Sequence, residues 1–584
     1  MSRQELNLGI LAHVDAGKTT LTERLLYQAG VIAEPGSVDA GTTQTDSLAL
    51  ERRRGITIKS AVASFTVGGV HVNLIDTPGH PDFIAEVERV LSVLDGAVLV
   101  ISAVEGVQTQ TRILMRALQR LGVPTLIFVN KLDRVGADAE RVVAQVREKL
   151  VPDPVVFLGS ARTGAGVEEL AAGVTRFLPA ADGDPEAPLS AKVFKIERGA
   201  SGDRIAYARL FSGTVRTRDR VPLTGGLEGK VTSLAVFENG GAVRRASATA
   251  GSVVKLWGLN SARIGDWLGD APAEADDRQF APPTLESEVV PRDPHEGPKL
   301  RVALVQLAEQ DPLIDVRLDG GRLSVSLYGE VQKEVIEATL ADDFGVAVEF
   351  RETTPIYVER LVRTGKAVVA IHEDGNPYDA TVGLRVDPGS ADTGVAFRST
   401  IERVSVPIHI YKSREGFEEH MRGYVGEALR SGLHGWQVTD CVVTLTDCAH
   451  AVADGPPSKR GSTSAADFKE LTPLVLRRAI ERAGTVVCEP VLRVRVELPV
   501  DALGAVIAAF ARLGGTVESA SPDGETAGLA AVMPAARLNE LQRMLSSLTS
   551  GEGVVDTEFA GYRPVNQRAE TVSPLRGETV SETS

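Results

Sequence analysis

His80 follows Asp-Thr-Pro-Gly in the stretch LIDTPGHPDF, residues 74–83, at a turn after an apolar run. An imidazole can orient or activate water, but only when it is held beside a reacting group. The stretch LNLGILAHVDAGKTTLTERLL, earlier in the chain, supplies a candidate for that group: it reads as strand, tight turn and helix. Its turn, with Asp15, Ala16, Gly17, Lys18, Thr19 and Thr20, fits a phosphate-cradling loop, and Ala12 stands where the first glycine is usual. Such a loop aims backbone N–H groups at phosphate oxygens, its lysine offsets their charge, and the Thr19 hydroxyl can bind magnesium. Gly-Lys-Thr also arises by chance at strand-to-helix turns, so the neighbouring segments decide.

Three of them point the same way. Asp76 ends the strand VNLID as a carboxylate for magnesium, directly or through a water, and Gly79 can give its N–H to a γ-phosphate. Asn130, Lys131 and Asp133 in LIFVNKLDRVG follow another strand, where a carboxylate can accept both guanine N1–H and N2–H. Ser160 and Ala161 in VVFLGSARTG can offer backbone to the guanine oxygen. Adenine lacks the 2-amino donor and presents a donor at position 6, so this set selects GTP and GDP and speaks against an ATPase or kinase. Thr57, in TQTDSLALERRRGITI, is a second hydroxyl for Mg2+, held only while the γ-phosphate is present. The same stretch also reads as a loop entering a hairpin with GVHVNLID, and both readings can hold.

The elements that position these residues belong to a longer chain. At 584 residues it exceeds one hydrophobic core, and domains of about 100–200 residues imply about three to five units. Hydrophobic residues at 43 % and charged ones at 24 % are ordinary for folded protein. A net charge of −15 argues against a basic wrapper of nucleic acid, although a local basic patch can still bind phosphate. Cys441, Cys448 and Cys488 lack paired short spacing, so neither a disulfide framework nor a zinc site is expected. No charged-then-apolar leader precedes the first strand, and no apolar run reaches the ~18 residues of a membrane span. The expectation is a cytoplasmic protein.

The expected fold is multidomain α/β and α+β. Residues 1–184 form a P-loop GTPase domain, and after the linker GDPEAPLSA short glycine-broken β runs give a β-barrel over 185–283. FAPPTLESEVVPRDPHEGPK reads as a second linker, leading into a ferredoxin-like α+β domain over 284–354. A fourth domain spans 355–488, and a second ferredoxin-like domain, in β-α-β-β-α-β order, spans 489–563. The polar tail 564–584 is read as disordered.

AHVDAGKTT, RGITI, DTPGH and NKLD together resemble a translational GTPase of the elongation factor G type. The resemblance implies that His80 is catalytic, orienting the attacking water, and that Val14 and Ile56 form an apolar gate around it until the ribosome engages. LRSGLHGWQVTDCVVTL and STSAADFKELTPLVLRRAIERAGT resemble the fourth domain of the tetracycline ribosomal protection proteins, the branch that removes tetracycline from the small subunit. Through VFKIER, SLYGEVQKEVI and TPIYVER the match runs from residue 1 to about 563.

The implied activity is ribosome-stimulated GTP hydrolysis by a monomer that binds near the A site, touches the decoding centre and the large-subunit factor-binding rRNA, and confers tetracycline resistance. No DNA or membrane partner is implied. The family's loop before STSAADF reaches toward the decoding centre; here it carries Pro456, Pro457, Lys459 and Arg460. From Gly455 to Arg482 six Lys or Arg face three Asp or Glu, a local net of +3 that suits rRNA phosphates, while the other reading is a solvated surface loop. Three departures stand out: a GTPase-domain insertion usual in the family is missing between Lys149 and Ser160, the decoding-site loop is longer, and the tail shows no amphipathic helix. An elongation factor G-type translocase or paralogue, to which His450 in LTDCAHAV lends support, and a ribosome-binding module without protection activity are the alternatives.

Overall fold

The computed structural model describes residues 4–565 apart from 37–50, 52–56, 182, 200–201, 225–226, 273–282, 320–321, 372, 374, 392, 403–404, 452–462, 525 and 550–552. The chain divides into two compact units, Met1–Thr353 and Thr354–Ser584. Among the described residues no helix is long and apolar enough to cross a membrane.

The first unit begins with β1 (Glu5–Ala12), α1 (Lys18–Gln28), β2 (Ala61–Val67), β3 (Val70–Asp76) and α2 (Ile84–Leu91). There follow β4 (Gly96–Ser102), α3 (Thr109–Arg120), β5 (Thr125–Asn130), α4 (Ala139–Lys149), β6 (Val156–Leu158) and α5 (Val167–Phe177). The strands form one sheet in the order β2-β3-β1-β4-β5-β6. All neighbours are parallel except β2 and β3. Near-continuous apolar runs are what strands covered on both faces require. β4 accordingly sends Val98 and Val100 into one core and Leu99 and Ile101 into the other. Leu21 and Leu25 of α1 and Leu170 and Val174 of α5 fill the first, while Val87 of α2, Leu118 of α3 and Val146 of α4 fill the second. Each such side chain contributes roughly 1.5–3 kcal/mol on burial. β1 lies between β3 and β4, so the chain leaves it toward both halves of the sheet, and a crevice opens outside its carboxyl end.

An eight-stranded antiparallel sheet follows, entered by the hairpin Ser190–Arg198 and Arg204–Ser212 and surrounding a core that includes Val193, Ala208, Leu210, Leu234 and Leu256. It packs on the domain of the first sheet through Phe194, Tyr207 and Phe237 against Ile75, Val90 and Val93. Arg209, buried there, gives one N–H to the Val93 carbonyl at 3.0 Å and another to Asp95 at 2.8 Å. Next comes an α+β layer in which α6 (Gly297–Gln310) and α7 (Glu330–Asp342) cover a sheet. Leu285–Pro291, within the stretch expected to be linker, is a strand with neighbours on both sides. Its Pro and charged residues mask a pattern in which Glu286, Ser287 and Val289 are buried.

In the second unit a four-stranded sheet, in the order Gly365–Val369, Ala380–Pro388, Cys441–His450 and Val395–Ser399, is covered by α8 (Arg414–Ala428) and α9 (Ala465–Ala483). The long strand Thr485–Pro499 crosses position 488 and opens the β-α-β-β-α-β run that ends at Val554–Pro564. Cys441, Cys448 and Cys488 are buried and free, and burial pushes the Cys441 thiol up to about 11 and that of Cys448 to about 12.

Candidate functional site

A cavity of about 470 Å³ lies at the carboxyl ends of the central strands, lined by His13 to Thr20, Thr57, Gly79, His80, Asn130, Lys131, Asp133 and Ala161 among others. The turn after β1 makes its floor. Asp15 and Gly17 take left-handed backbone, φ 61° and 89°, which turns the chain tightly into α1. Gly17 is also the N-cap of α1 and offers no side-chain cap, which leaves the first-turn N–H groups for an anion. A Cβ on Gly17 would sit 2.4 Å from the Asn130 amide nitrogen, so only glycine fits.

Lys18, 6 % exposed, donates to Asp76 Oδ1 at the end of β3 and to Thr57 Oγ1 at 3.1 Å. The Thr19 and Thr57 hydroxyls lie 3.1 Å apart. Two hydroxyls and a carboxylate thus converge on one point. Hard oxygen donors of this kind suit Mg2+, which keeps several waters and phosphate oxygens of its own. Among the described residues no group of three His, Cys, Asp or Glu could hold a metal. The two hydroxyls and the carboxylate fit a metal that also takes phosphate oxygens.

Asn130, Lys131, Asp133 and Ala161, expected from the sequence on the guanine side, line the same cavity. Asn130 bridges two loops: its Nδ2 donates to Ala16 O at 2.8 Å, and its Oδ1 accepts from Ala161 N at 2.8 Å. It ties the phosphate turn to the Ser160–Ala161 loop. Asp133 is held by Ser160 Oγ at 2.6 Å and by Arg162 at 2.5 Å. The Ser160 hydrogen bond, with Arg162 beside it, holds this carboxyl below its ordinary range, so it is an ionised acceptor. Lys131, φ 67°, lines the same wall and pairs with Glu105 at 3.3 Å.

His80 stands at the cavity rim on the third side. Thr77 anchors its turn to β1 through the Ile10 carbonyl at 2.9 Å, and a Cβ on Gly79 would meet the Ala12 carbonyl at 3.2 Å. The turn therefore lies against the phosphate loop. His80 Nδ1 accepts the Asp82 N–H at 3.2 Å, and its ring is tilted on Phe83. Val14 lines the cavity and is partly exposed. Ile56, and Pro456, Pro457, Lys459 and Arg460 of the fourth-domain loop, lie outside the described residues, as does 566–584 of the tail.

Sequence reading misses two residues here. Arg24 of α1 lines the cavity and donates to the Ala161 carbonyl at 2.9 Å and to the Arg162 carbonyl, clamping the loop after β6. Its only signal is a charged side chain one and a half turns after Lys18. His13, 6 % exposed, shares a 3.0 Å hydrogen bond with Thr111 of α3 and leaves Nε2 without a partner. Burial lowers its pKa to about 4, so the ring is neutral.

Comparison with known proteins places the chain in a family. Residues 3–180 match the elongation factor Tu GTP binding domain, 188–271 elongation factor G domain 2, 348–484 elongation factor G domain IV, and 486–572 the elongation factor G C-terminus. The chain is 42 % identical to the oxytetracycline resistance protein of Streptomyces rimosus, covering 98 % of each chain. It is 40 % identical to the tetracycline resistance protein TetM of Streptomyces lividans, over 96 % of this chain and 97 % of the relative. Against TetP of Clostridium perfringens the identity is 35 %, over 96 % and 94 %. A solved structure from Thermus thermophilus, at 23 % identity and a TM-score of 0.62, shares the fold over 97 % of this chain and 98 % of its own.

Proposed function

This chain belongs to the tetracycline resistance proteins among the elongation factor G-like translational GTPases, and from that premise we propose how it works. It is a cytoplasmic monomer that binds GTP, docks near the ribosomal A site, displaces tetracycline from the small subunit and leaves after hydrolysis. The observation that carries this reading is one cavity that brings His80 together with Lys18, Thr19, Thr57, Asn130 and Asp133, in a chain alike to tetracycline resistance proteins nearly end to end.

Gly17, Lys18, Thr19 and Thr20 hold the phosphates, and Lys18 gives up Asp76 for a phosphate oxygen when nucleotide enters. Thr19, Thr57 and Asp76 would hold magnesium, which would supply charge stabilisation to the phosphates. Asp133 reads the guanine N1–H and N2–H, with Ser160, Ala161 and Lys131 around the ring. His80 orients the attacking water, a task that needs position more than proton transfer. Val14 and Ile56 keep the imidazole from the water until large-subunit rRNA draws it in. The loop with Pro456, Pro457, Lys459 and Arg460 approaches the drug site on rRNA.

The test pairs two assays. Tetracycline susceptibility of a sensitive host should fall when the chain is expressed and return with His80→Ala. Purified protein should hydrolyse GTP slowly alone and far faster with ribosomes, and His80→Ala should keep GTP binding while losing the stimulation. Equal hydrolysis with and without ribosomes would overturn the mechanism, and tRNA–mRNA movement without drug rescue would favour a translocase.

A further inference from the structure

Two residues past His80, Asp82 reaches out of the GTPase domain. Its Oδ2 accepts the Val331 N–H at 2.9 Å and the Gln332 N–H at 3.3 Å, both in the first turn of α7 in the α+β layer. The first N–H groups of a helix have no partner within it, and a carboxylate there satisfies them and meets the positive end of the helix dipole. α7 supplies no such group itself: its N-cap is Gly329, with no side-chain cap. The bare α-carbon matters, because a Cβ on Gly329 would lie 2.4 Å from either Asp82 oxygen.

Asp82 is equally bound to His80. Its N–H donates to His80 Nδ1 at 3.2 Å, and Phe83 N donates to the His80 carbonyl at 3.0 Å. Phe83 and Ile58, the residue after Thr57, share one apolar cluster with Val335 of α7. Arg89 of α2 adds a polar link, donating to Glu86 at 2.8 Å, to the Gln310 carbonyl at 3.3 Å and to Asp311. The turn that carries the imidazole thus rests on α7, and it is fastened there by a cap borrowed from another domain.

We infer that Asp82 is a positioning residue for GTP hydrolysis: as the N-cap of α7 supplied from outside that helix, it fixes the angle at which His80 enters the nucleotide cavity. Any shift of α7 then moves the Asp82 backbone and turns the imidazole through the Nδ1 hydrogen bond. The α+β layer thereby becomes a lever on hydrolysis. This inference rests on the reading of His80 as the residue that orients the water.

The test compares wild type, Asp82→Ala, Asp82→Asn, Gly329→Ala and the Asp82→Ala/Gly329→Ala double variant, full length, in ribosome-stimulated GTP turnover. Asp82→Ala and Gly329→Ala should each lower kcat roughly ten- to a hundredfold, the scale of a misplaced catalytic group. The half-saturating ribosome concentration and the Kd for GDP should stay put. Asp82→Asn should recover part of kcat, because its amide oxygen still accepts from Val331 and Gln332. The double variant should be no worse than Asp82→Ala, since a single shared contact is lost only once. Wild-type kcat in a folded Asp82→Ala, no rescue by asparagine, or additive losses in the double variant would overturn the inference. If Asp82→Ala does not fold, wild-type kcat in Gly329→Ala has the same force. Wild type without ribosome stimulation would instead defeat the functional reading, and stimulation abolished by His80→Ala but untouched by Asp82→Ala would defeat this inference alone.

Discussion

His13, at the start of the turn after β1, is a buried side chain that ties that turn to α3. It is buried, its Nδ1 is engaged by Thr111 at 3.0 Å, and its pKa lies near 4 against 6.5 for a free imidazole. Above pH 6.5 the ring is neutral folded or unfolded, so it adds no pH dependence there. As pH falls through 6.5 the unfolded chain takes the proton first, and stability drops until the folded ring also titrates near 4. Integrated over that window the loss is about 3 kcal/mol. His13→Asn keeps a polar group near Thr111 without the titration. Urea unfolding of the GTPase domain at pH 7, 5.5 and 4.5 should therefore show the wild type weakening relative to His13→Asn; parallel curves would refute it. The partnership is invisible in the sequence because it joins residues 98 positions apart. Lys18, Thr19, Asp76, Asn130 and Asp133 stand out in the sequence because each sits in a short motif at or just after the end of a strand. Even so, the motif does not say that the Asn130 amide ties the Ala16 and Ala161 loops together.

At the scale of elements, period and order carry most of the fold. The alternating strand and helix patterns of the first 180 residues become one sheet with two apolar faces, and the β-α-β-β-α-β order near the end of the chain becomes a layer of that order. The strand Leu285–Pro291 escapes because its burial follows sheet neighbours contributed by residues 322–327 and 348–350, which no local pattern announces. Asp82 on α7 escapes for the same reason: a helix capped from 249 positions away looks uncapped in its own sequence. α9 is the contrasting case, since Ser464 and Asp467, three positions apart, make a capping box within the local sequence. Ser464 N donates to Asp467 Oδ2 at 2.7 Å, and Ser464 Oγ bonds the same oxygen at 2.7 Å. Replacing such a cap with alanine costs about 1 kcal/mol, or roughly fivefold in an opening equilibrium. Ser464→Ala should therefore speed hydrogen–deuterium exchange in the first turns of α9 by that factor and leave peptides of the nucleotide cavity unchanged. Unaltered exchange in α9 would show that the box is idle.

For the whole molecule, an acidic chain of net charge −15 still carries a local basic excess between Gly455 and Arg482, where rRNA contact is proposed. Local charge, not the sum, decides binding to a polyanion. In the proposed cycle, nucleotide state governs ribosome binding and the ribosome governs hydrolysis. The most direct test is retention of radiolabelled tetracycline on ribosomes, measured by filter binding as protein is titrated from below to above the ribosome concentration. With GTP the wild type should strip drug at substoichiometric amounts, because hydrolysis returns it for another round, whereas His80→Ala should strip drug only mole for mole and GDP should support neither. Drug retained at every protein concentration, or released equally with GDP and GTP, would contradict a nucleotide-driven protection cycle.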